Sequence, residues 1–94
     1  MEVRPLGANE WRELKELRLR ALAVDPLAFG STLAAEAAYA DNEWVEWAEE
    51  SGRGDQGRTF VAVDGGVWQG MVFTSLLDDG YAGLFGMWVD PRAR

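Results

Sequence analysis

Residues 59–91, TFVAVDGGVWQGMVFTSLLDDGYAGLFGMWVDP, carry the clearest structural pattern in the chain. Three runs of mainly β-branched and aromatic residues are separated there by clusters of turn-forming residues at 64–66 and 78–80. Runs of this kind joined by Asp-Gly turns are typical of antiparallel strands that follow one another directly. The sequence therefore predicts a meander of three strands, over 59–63, 67–77 and 81–89.

Glycines inside two of these runs add detail to the meander. Gly70 interrupts the second strand, and Gly83 and Gly86 lie within the third. A glycine inside a strand indicates a bulge or the close approach of another backbone. The Asp-Pro pair at 90–91 is expected to end the third strand.

The first half of the chain has a different periodicity. Residues 2–6 alternate polar and apolar side chains and predict a short strand, with Pro5 at an edge or at the strand end. Asn9 is the predicted cap of a helix that ends at Asp25-Pro26, because proline disfavours helical backbone in the residue before it. The apolar positions of this helix follow three-to-four spacing: Trp11, Leu14, Leu17, Ala21 and Leu22.

Two further helical segments are predicted before the meander. Ser31 or Thr32 is expected to cap a short helical piece that extends to residue 38. Asp41 is the predicted cap of a helix over 42–50, with Gly52 as its stop signal. Residues 51–57 are predicted to form a flexible loop or a disordered tip.

These elements predict an α+β fold with the order strand-helix-helix-strand-strand-strand. Helices would cover one side of a mainly antiparallel sheet, since amphipathic elements pack in layers. No internal linker divides the 94 residues, so residues 1–94 are expected to form a single domain.

Composition limits the chemistry available to the chain. The sequence has no cysteine and no histidine, which excludes disulfides, thiolate nucleophiles and the usual zinc ligands. We therefore expect no metal site, and any general base must be Asp, Glu or Tyr.

The net charge and the hydropathy of the chain limit the classes of binding partner and the compartment. A net charge of −7 disfavours nucleic acid and anionic membranes and favours the approach of a cationic amine or peptide. No window approaches the roughly 20 apolar residues of a membrane span, and the start of the chain has no secretory pattern. The cytoplasm is the expected compartment.

The tail LFGMWVDPRAR at 84–94 resembles the fourth strand of Gcn5-related N-acetyltransferases (GNAT) and its run into their Arg/Gln-x-x-Gly-x-Gly/Ala loop. Arg94 would be the first residue of that loop. The opening Val-Arg-Pro-Leu strand, the Ala-Phe-Gly-Ser-Thr segment at 28–32 and the strand containing Gly70 also match the pattern. The resemblance spans essentially the whole chain and corresponds to the N-terminal half of the family fold.

This resemblance implies an acetyl-CoA-dependent transfer of acetyl to a primary amine of a small molecule or peptide. Main-chain groups of Met87, Trp88 and Val89 would flank the pantetheine arm, and one of their amides would act as an oxyanion donor. Arg94 would lie beside the phosphates. The glycine-rich loop that grips the pyrophosphate in the family is not among these residues, so we expect weak or absent acetyl-CoA binding and no activity by this polypeptide alone.

The resemblance also implies roles on the acceptor side. Glu36, Tyr81 and Asp79 are the candidate bases that would deprotonate the attacking amine. Related sequences often carry an acidic residue where this chain has Gly83, which leaves the base unassigned. The predicted acceptor-pocket residues are Phe29, Ser31 and Thr32.

Several of these predicted site roles also have a simpler structural interpretation. Residues 87–89 also fit a plain buried strand, and Glu36 fits a surface carboxylate. Trp44 and Trp47, at helical spacing, fit the core better than a cage for a cation. The competing function is a non-catalytic binding or assembly module, whose exposed last strand pairs with a second copy or with a complementing C-terminal half. An unrelated α+β domain is the third possibility.

Overall fold

The computed structural model of the chain describes residues 2–27, 31–54, 57–76 and 82–93, and these form one strand, three helices and then three strands. In chain order the elements are β1 (Glu2–Pro5), α1 (Trp11–Val24), α2 (Leu33–Ala37), α3 (Asp41–Arg53), β2 (Gly57–Asp64), β3 (Val67–Leu76) and β4 (Ala82–Val89). A 3₁₀ turn, Pro91–Ala93, follows β4. The predicted α+β class is confirmed, but the predicted order with two helices is wrong: three helices precede β2, because the short piece capped by Thr32 forms a helix of its own, α2.

The described strands form one antiparallel sheet in the order β1-β2-β3-β4. A two-residue turn joins β2 to β3, with φ of 58° at Gly65 and 83° at Gly66. The predicted meander is therefore confirmed. β4 lies at one edge of this sheet, and its ladder partner among the described residues is β3.

One face of the sheet carries the hydrophobic core. Val61, Met71 and Trp88 are opposite one another on β2, β3 and β4, and all three are buried. Helices α1 and α3 pack over this row through residues that are themselves buried, namely Leu14, Leu17, Ala21, Trp44 and Ala48. Burying one such large side chain contributes roughly 1.5–3 kcal/mol, so the burial of this row stabilises the packing of the helices on the sheet.

The opposite face of the sheet is also apolar. Val3, Ala62, Gly70 and Val89 are cross-strand neighbours on β1 to β4 and share this face. Val3 is 65% exposed. We call this row the open face, because the cores of α1 and α3 lie on the other side of the sheet.

Two helices begin one residue away from their predicted caps. The N-cap of α1 is Glu10 rather than Asn9, and the N-cap of α3 is Ala40 rather than Asp41. The Glu10 carboxylate accepts hydrogen bonds from the Gly7 backbone N–H, at 2.7 Å, and from Arg4. This contact fixes the turn before α1 and places Asn9 outside the helix, in that turn.

Of the other two predicted helix ends, the cap at the start of α2 is confirmed and the stop of α3 is wrong. Thr32 caps α2 as predicted, because its Oγ1 accepts a hydrogen bond from the Ala35 N–H at 3.1 Å. The prediction that α3 stops at Gly52 is wrong. The helix continues to Arg53, and its C-cap Gly54 adopts φ 70° and donates its N–H to the Glu50 carbonyl. Glycine suits that left-handed cap because it has no Cβ. The prediction of a loop or disordered tip over 51–57 is wrong at both ends, because residues 51–53 belong to α3 and Gly57 begins β2.

Among the described strand pairs, the register shifts at two places. Gln69 of β3 has no counterpart between the Ala62–Gly70 and Val63–Trp68 pairs. In β4, the Gly86-Met87 dipeptide is opposite Val72 alone, because Met71 pairs with Trp88 and Phe73 pairs with Phe85. Two residues opposite one constitute a β-bulge. A bulge near one of the glycines of this strand was predicted, and it lies at Gly86.

The lack of a side chain at Gly70 permits the close approach of β4. A Cβ built on Gly70 would lie 2.7 Å from the Trp88 carbonyl oxygen. Gly70→Ala should therefore displace β4 and lower the free energy of unfolding by about 1–3 kcal/mol, as overpacking does elsewhere. Urea denaturation followed by tryptophan fluorescence measures the change. An unaltered urea midpoint would contradict this account of Gly70.

Candidate functional site

The three strand residues predicted to flank a cofactor arm differ in environment. Trp88 is buried on the core face, and its Nε1 donates to Oδ2 of Asp25 at 2.7 Å. Met87 is 65% exposed beside the bulge, and Val89 is half-buried on the open face. The side chain of Trp88 thus anchors β4 to the end of α1, while the backbone of the strand lies along the sheet edge.

The exit from β4 is organised by a buried carboxylate. The side chain of Asp90 is 3% exposed and accepts hydrogen bonds from the Arg92 backbone N–H at 2.9 Å and from Arg92 Nε and Nη2 at 3.1 and 3.0 Å. Nε of Arg20 lies 3.6 Å from Oδ2 of Asp90. The Asp90 N–H donates to the Gln69 carbonyl at 2.7 Å. Asp90 therefore connects the end of β4 to α1, to the bulged residue of β3 and to the turn that follows.

The Arg92 guanidinium forms two hydrogen bonds with Asp90, although 78% of its side chain is exposed. Asp90 precedes Pro91 and accepts the N–H two residues on, which is the geometry of a helix N-cap followed by proline at the first helical position.

A second buried carboxylate, Glu36, connects α2 to α1. Its two oxygens accept hydrogen bonds from Arg18 Nε at 2.8 Å and Nη2 at 3.0 Å, and the side chain is 3% exposed. The Arg18 guanidinium also lies over the rings of Trp47 and Phe73, at 5.5 and 5.3 Å from their centroids. Glu36 is thus not the surface carboxylate that its sequence context suggests. This placement favours a structural role for Glu36.

A groove of about 510 Å³ lies between the second half of α3 and the strands β2 and β3. Trp47 and Phe73 line its aromatic part, with ring centroids 5.1 Å apart. Ser51 and Thr59 form a polar wall, and Arg53 and Arg58 lie at the rim with Glu50. The remaining lining residues are Gly57 and Thr74.

The other predicted site residues are only partly placed. Ser31 is half-buried and Thr32 is exposed at the start of α2. Phe29, Asp79, Tyr81 and Arg94 lie outside the described residues. Of the described candidates, Thr32 and Glu36 lie one turn apart on α2, where the Glu36 N–H donates to the Thr32 carbonyl at 3.1 Å.

The sequence analysis does not predict these contacts of Arg18, Asp25 and Asp90. Arg18 lies on the buried stripe of α1 between Leu14 and Ala21, and that spacing is a usable signal. The Asp-Pro pair at 90–91 predicts a strand end, and it also fits a helix cap. Asp25 had no comparable signal, because its partner Trp88 is 63 residues away.

Comparison with protein-family models, with curated proteins and with solved structures gave no match. Among the described residues, no helix has the length and apolar character needed to cross a bilayer.

Removing the Glu36 carboxylate should be costly, because the Arg18 charge would stay buried without its main partner. Glu36→Ala is expected to lower the free energy of unfolding by about 3–5 kcal/mol. The double variant Arg18→Met with Glu36→Leu should recover most of that loss. Asp41→Asn is the control, because it removes the exposed Lys15–Asp41 pair at 3.2 Å and should cost at most about 1 kcal/mol. Equal losses for Glu36→Ala and Asp41→Asn in chemical denaturation would contradict this account.

Stability should also fall in acid. The Arg92 hydrogen bonds hold the pKa of Asp90 at about 2, below its ordinary 3.8, and the Arg4 hydrogen bond lowers the pKa of Glu10. Because the unfolded chain binds these protons more readily, the stability from Asp90 is present above about pH 4 and is lost as the pH falls toward about 2. The stability from Glu10 is likewise lost as the pH falls below its ordinary 4.5.

The test compares melting temperatures across this pH range for the native chain and Asp90→Asn. The variant should be less stable near neutral pH and should lose less stability on acidification. Asp64→Asn, at an exposed position beside the hairpin turn, is the control. Parallel pH profiles for the native chain and Asp90→Asn would show that Asp90 is not the group responsible.

Proposed function

We propose that this chain supplies the acceptor-side half of a GNAT-type N-acetyltransferase, with the edge of β4 as the binding strand for the pantetheine arm of acetyl-CoA. The observation that carries the proposal is the bulge at Gly86-Met87 on an edge strand. A bulge leaves backbone groups out of the regular ladder and twists the strand locally. Such a strand is suited to accept an extended amide-containing ligand through its main chain.

The side chains around the bulge support this use of the edge. Trp88 is locked into the core by its hydrogen bond to Asp25, so the strand is held in place while its neighbour Met87 is exposed. In the proposed complex the amide of Met87, Trp88 or Val89 donates to the thioester carbonyl and stabilises the oxyanion that forms during attack. Amides fixed before the reaction need no reorganisation as charge develops.

Acceptor binding is proposed on the side of the 28–32 segment, where Phe29, Ser31 and Thr32 would line the pocket. The net charge of −7 favours a cationic amine as acceptor. Deprotonation of that amine requires a base, and we propose Asp79 or Tyr81 ahead of Glu36. Both oxygens of Glu36 already accept hydrogen bonds from Arg18, which leaves this carboxylate poorly available for proton transfer.

Affinity for the nucleotide part of acetyl-CoA is proposed to be low in these 94 residues. Asp90 engages the Arg92 guanidinium, and the sequence contains no glycine-rich loop after β4. Backbone amides that converge on phosphate are what provide tight pyrophosphate binding. A further segment carrying such a loop would complete the site.

The proposal is tested by NMR titration of the isotope-labelled chain with S-acetyl-pantetheine and with acetyl-CoA. We expect shifts centred on the amides of residues 86–89 and a dissociation constant on the order of 1 mM for both ligands, within about tenfold of each other. Met87→Pro removes a backbone donor at the bulge and should abolish these shifts. Met87→Ala, which keeps that donor, should leave them unchanged.

Two outcomes would contradict the proposal. Equal binding by the proline and alanine variants would exclude strand addition at Met87. Acetyl-CoA binding more than about a hundredfold tighter than S-acetyl-pantetheine would mean that these residues already hold a phosphate site.

A second candidate is an assembly module that pairs through β4. The observation favouring it is the combination of a sheet edge at β4 with the apolar open face, on which Val3 is 65% exposed. Sedimentation over a range of concentrations would then give a dimer that Met87→Pro weakens and Met87→Ala preserves. A monomer at every concentration would contradict self-assembly and leave the acetyltransferase proposal untouched.

A further inference from the structure

The groove between α3 and the strands β2 and β3 has the size of a small-molecule site. Its volume of about 510 Å³ falls within the range of roughly 300–1,000 Å³ common for ligand pockets. Such sites combine an apolar surface with a few polar groups that orient the ligand. The groove has the volume of such a site, and its lining includes both aromatic and polar side chains.

The aromatic part of the groove is held rigidly. Trp47 stacks on Trp44, with centroids 5.6 Å apart and planes 11° apart, and its Nε1 donates to Thr59 Oγ1 at 3.1 Å. Phe73 lies against Trp47, and the Arg18 guanidinium lies over both rings. Side chains fixed in this way present a preformed surface to a flat apolar ligand, so little conformational entropy is lost on binding.

The polar wall of the groove is satisfied within the protein. The Thr59 N–H donates to Ser51 Oγ at 2.9 Å, and Thr59 Oγ1 accepts from Trp47. These groups form bonds to one another in the free chain. Recognition of a polar group on a ligand consequently falls to the rim.

The rim carries two arginines and one glutamate in a protein of net charge −7. Within residues 2–27, 31–54, 57–76 and 82–93, neither Arg53 nor Arg58 forms an ion pair, and both are exposed. The Arg58 guanidinium packs beside Gly54, the residue that follows Arg53, so the two side chains share the end of α3. The planar fork of a guanidinium matches the two oxygens of a carboxylate.

From these contacts we infer that the groove binds a small planar aromatic carboxylate, whose ring lies against Trp47 and Phe73 and whose carboxylate meets Arg53 and Arg58. The described lining of the groove does not include residues 87–89, so the inference does not rest on the proposed acetyl transfer. Binding to folded protein, rather than stability, is the quantity that tests this inference.

The test uses the native chain and three ligands that contain the same indole ring but differ in charge. Indole-3-acetate, indole and tryptamine are titrated into labelled protein and followed by amide shifts. Indole-3-acetate should give saturable shifts centred on residues 51, 58, 59, 73 and 74, with at least about tenfold tighter binding than indole or tryptamine. Equal binding of the three ligands, or shifts centred elsewhere, would overturn the inference without any variant being needed.

A double variant and a control variant then test whether the two rim arginines cause the preference for a carboxylate ligand. Arg53→Ala with Arg58→Ala should weaken indole-3-acetate by about tenfold or more and leave indole unchanged. Arg12→Ala is the control, since Arg12 lies over Trp11 at 4.8 Å and is not among the groove residues. Spectra of the free variants verify that each is folded. Unchanged affinity of the double variant for indole-3-acetate would overturn the inference that Arg53 and Arg58 bind the carboxylate.

Discussion

The packing of the row Val61, Met71 and Trp88 against α1 and α3 is the constraint on which the rest of the structure depends. Because cross-strand partners share a face, burying this row fixes which side chains of β4 point inward. Trp88 then reaches Asp25 at the end of α1, and the bulged dipeptide beside it is left at the sheet edge. The candidate binding strand is thus a consequence of core packing, not an independent feature.

Two buried carboxylates add ion pairs to the apolar packing between the elements. Glu36 is bound by Arg18 and ties α2 to α1, while Asp90 is bound by Arg92 and Arg20 and ties the end of β4 to α1. Buried charges are costly unless paired, so each pair specifies one arrangement of the elements it joins. Arg18 has a second consequence, since it lies over Trp47 and Phe73, the rings that form the aromatic part of the groove.

The edge of β4 and the groove are two distinct surfaces with different chemistry. The edge presents backbone groups beside a bulge and suits an extended ligand of repeated amides, for which the side chain of Met87 is secondary. The groove presents fixed aromatic rings and two guanidinium groups, and suits a compact ligand with a ring and a carboxylate. The two surfaces differ in charge and shape, so each is expected to bind a different class of ligand.

Local sequence patterns predict the meander, the amphipathic stripe of α1 and a helix cap at Ser31 or Thr32, because turn chemistry and side-chain periodicity act over a few residues. Gly83 and Gly86 indicate a bulge or a close approach in β4, and the strand register places the bulge at Gly86. The burial of Glu36 against Arg18, 18 residues away, and the hydrogen bond from Trp88 to Asp25, 63 residues away, are visible only in the folded structure. Such pairings follow from how whole elements pack, and no local pattern encodes the distance between two side chains that meet only after the sheet and helices have assembled.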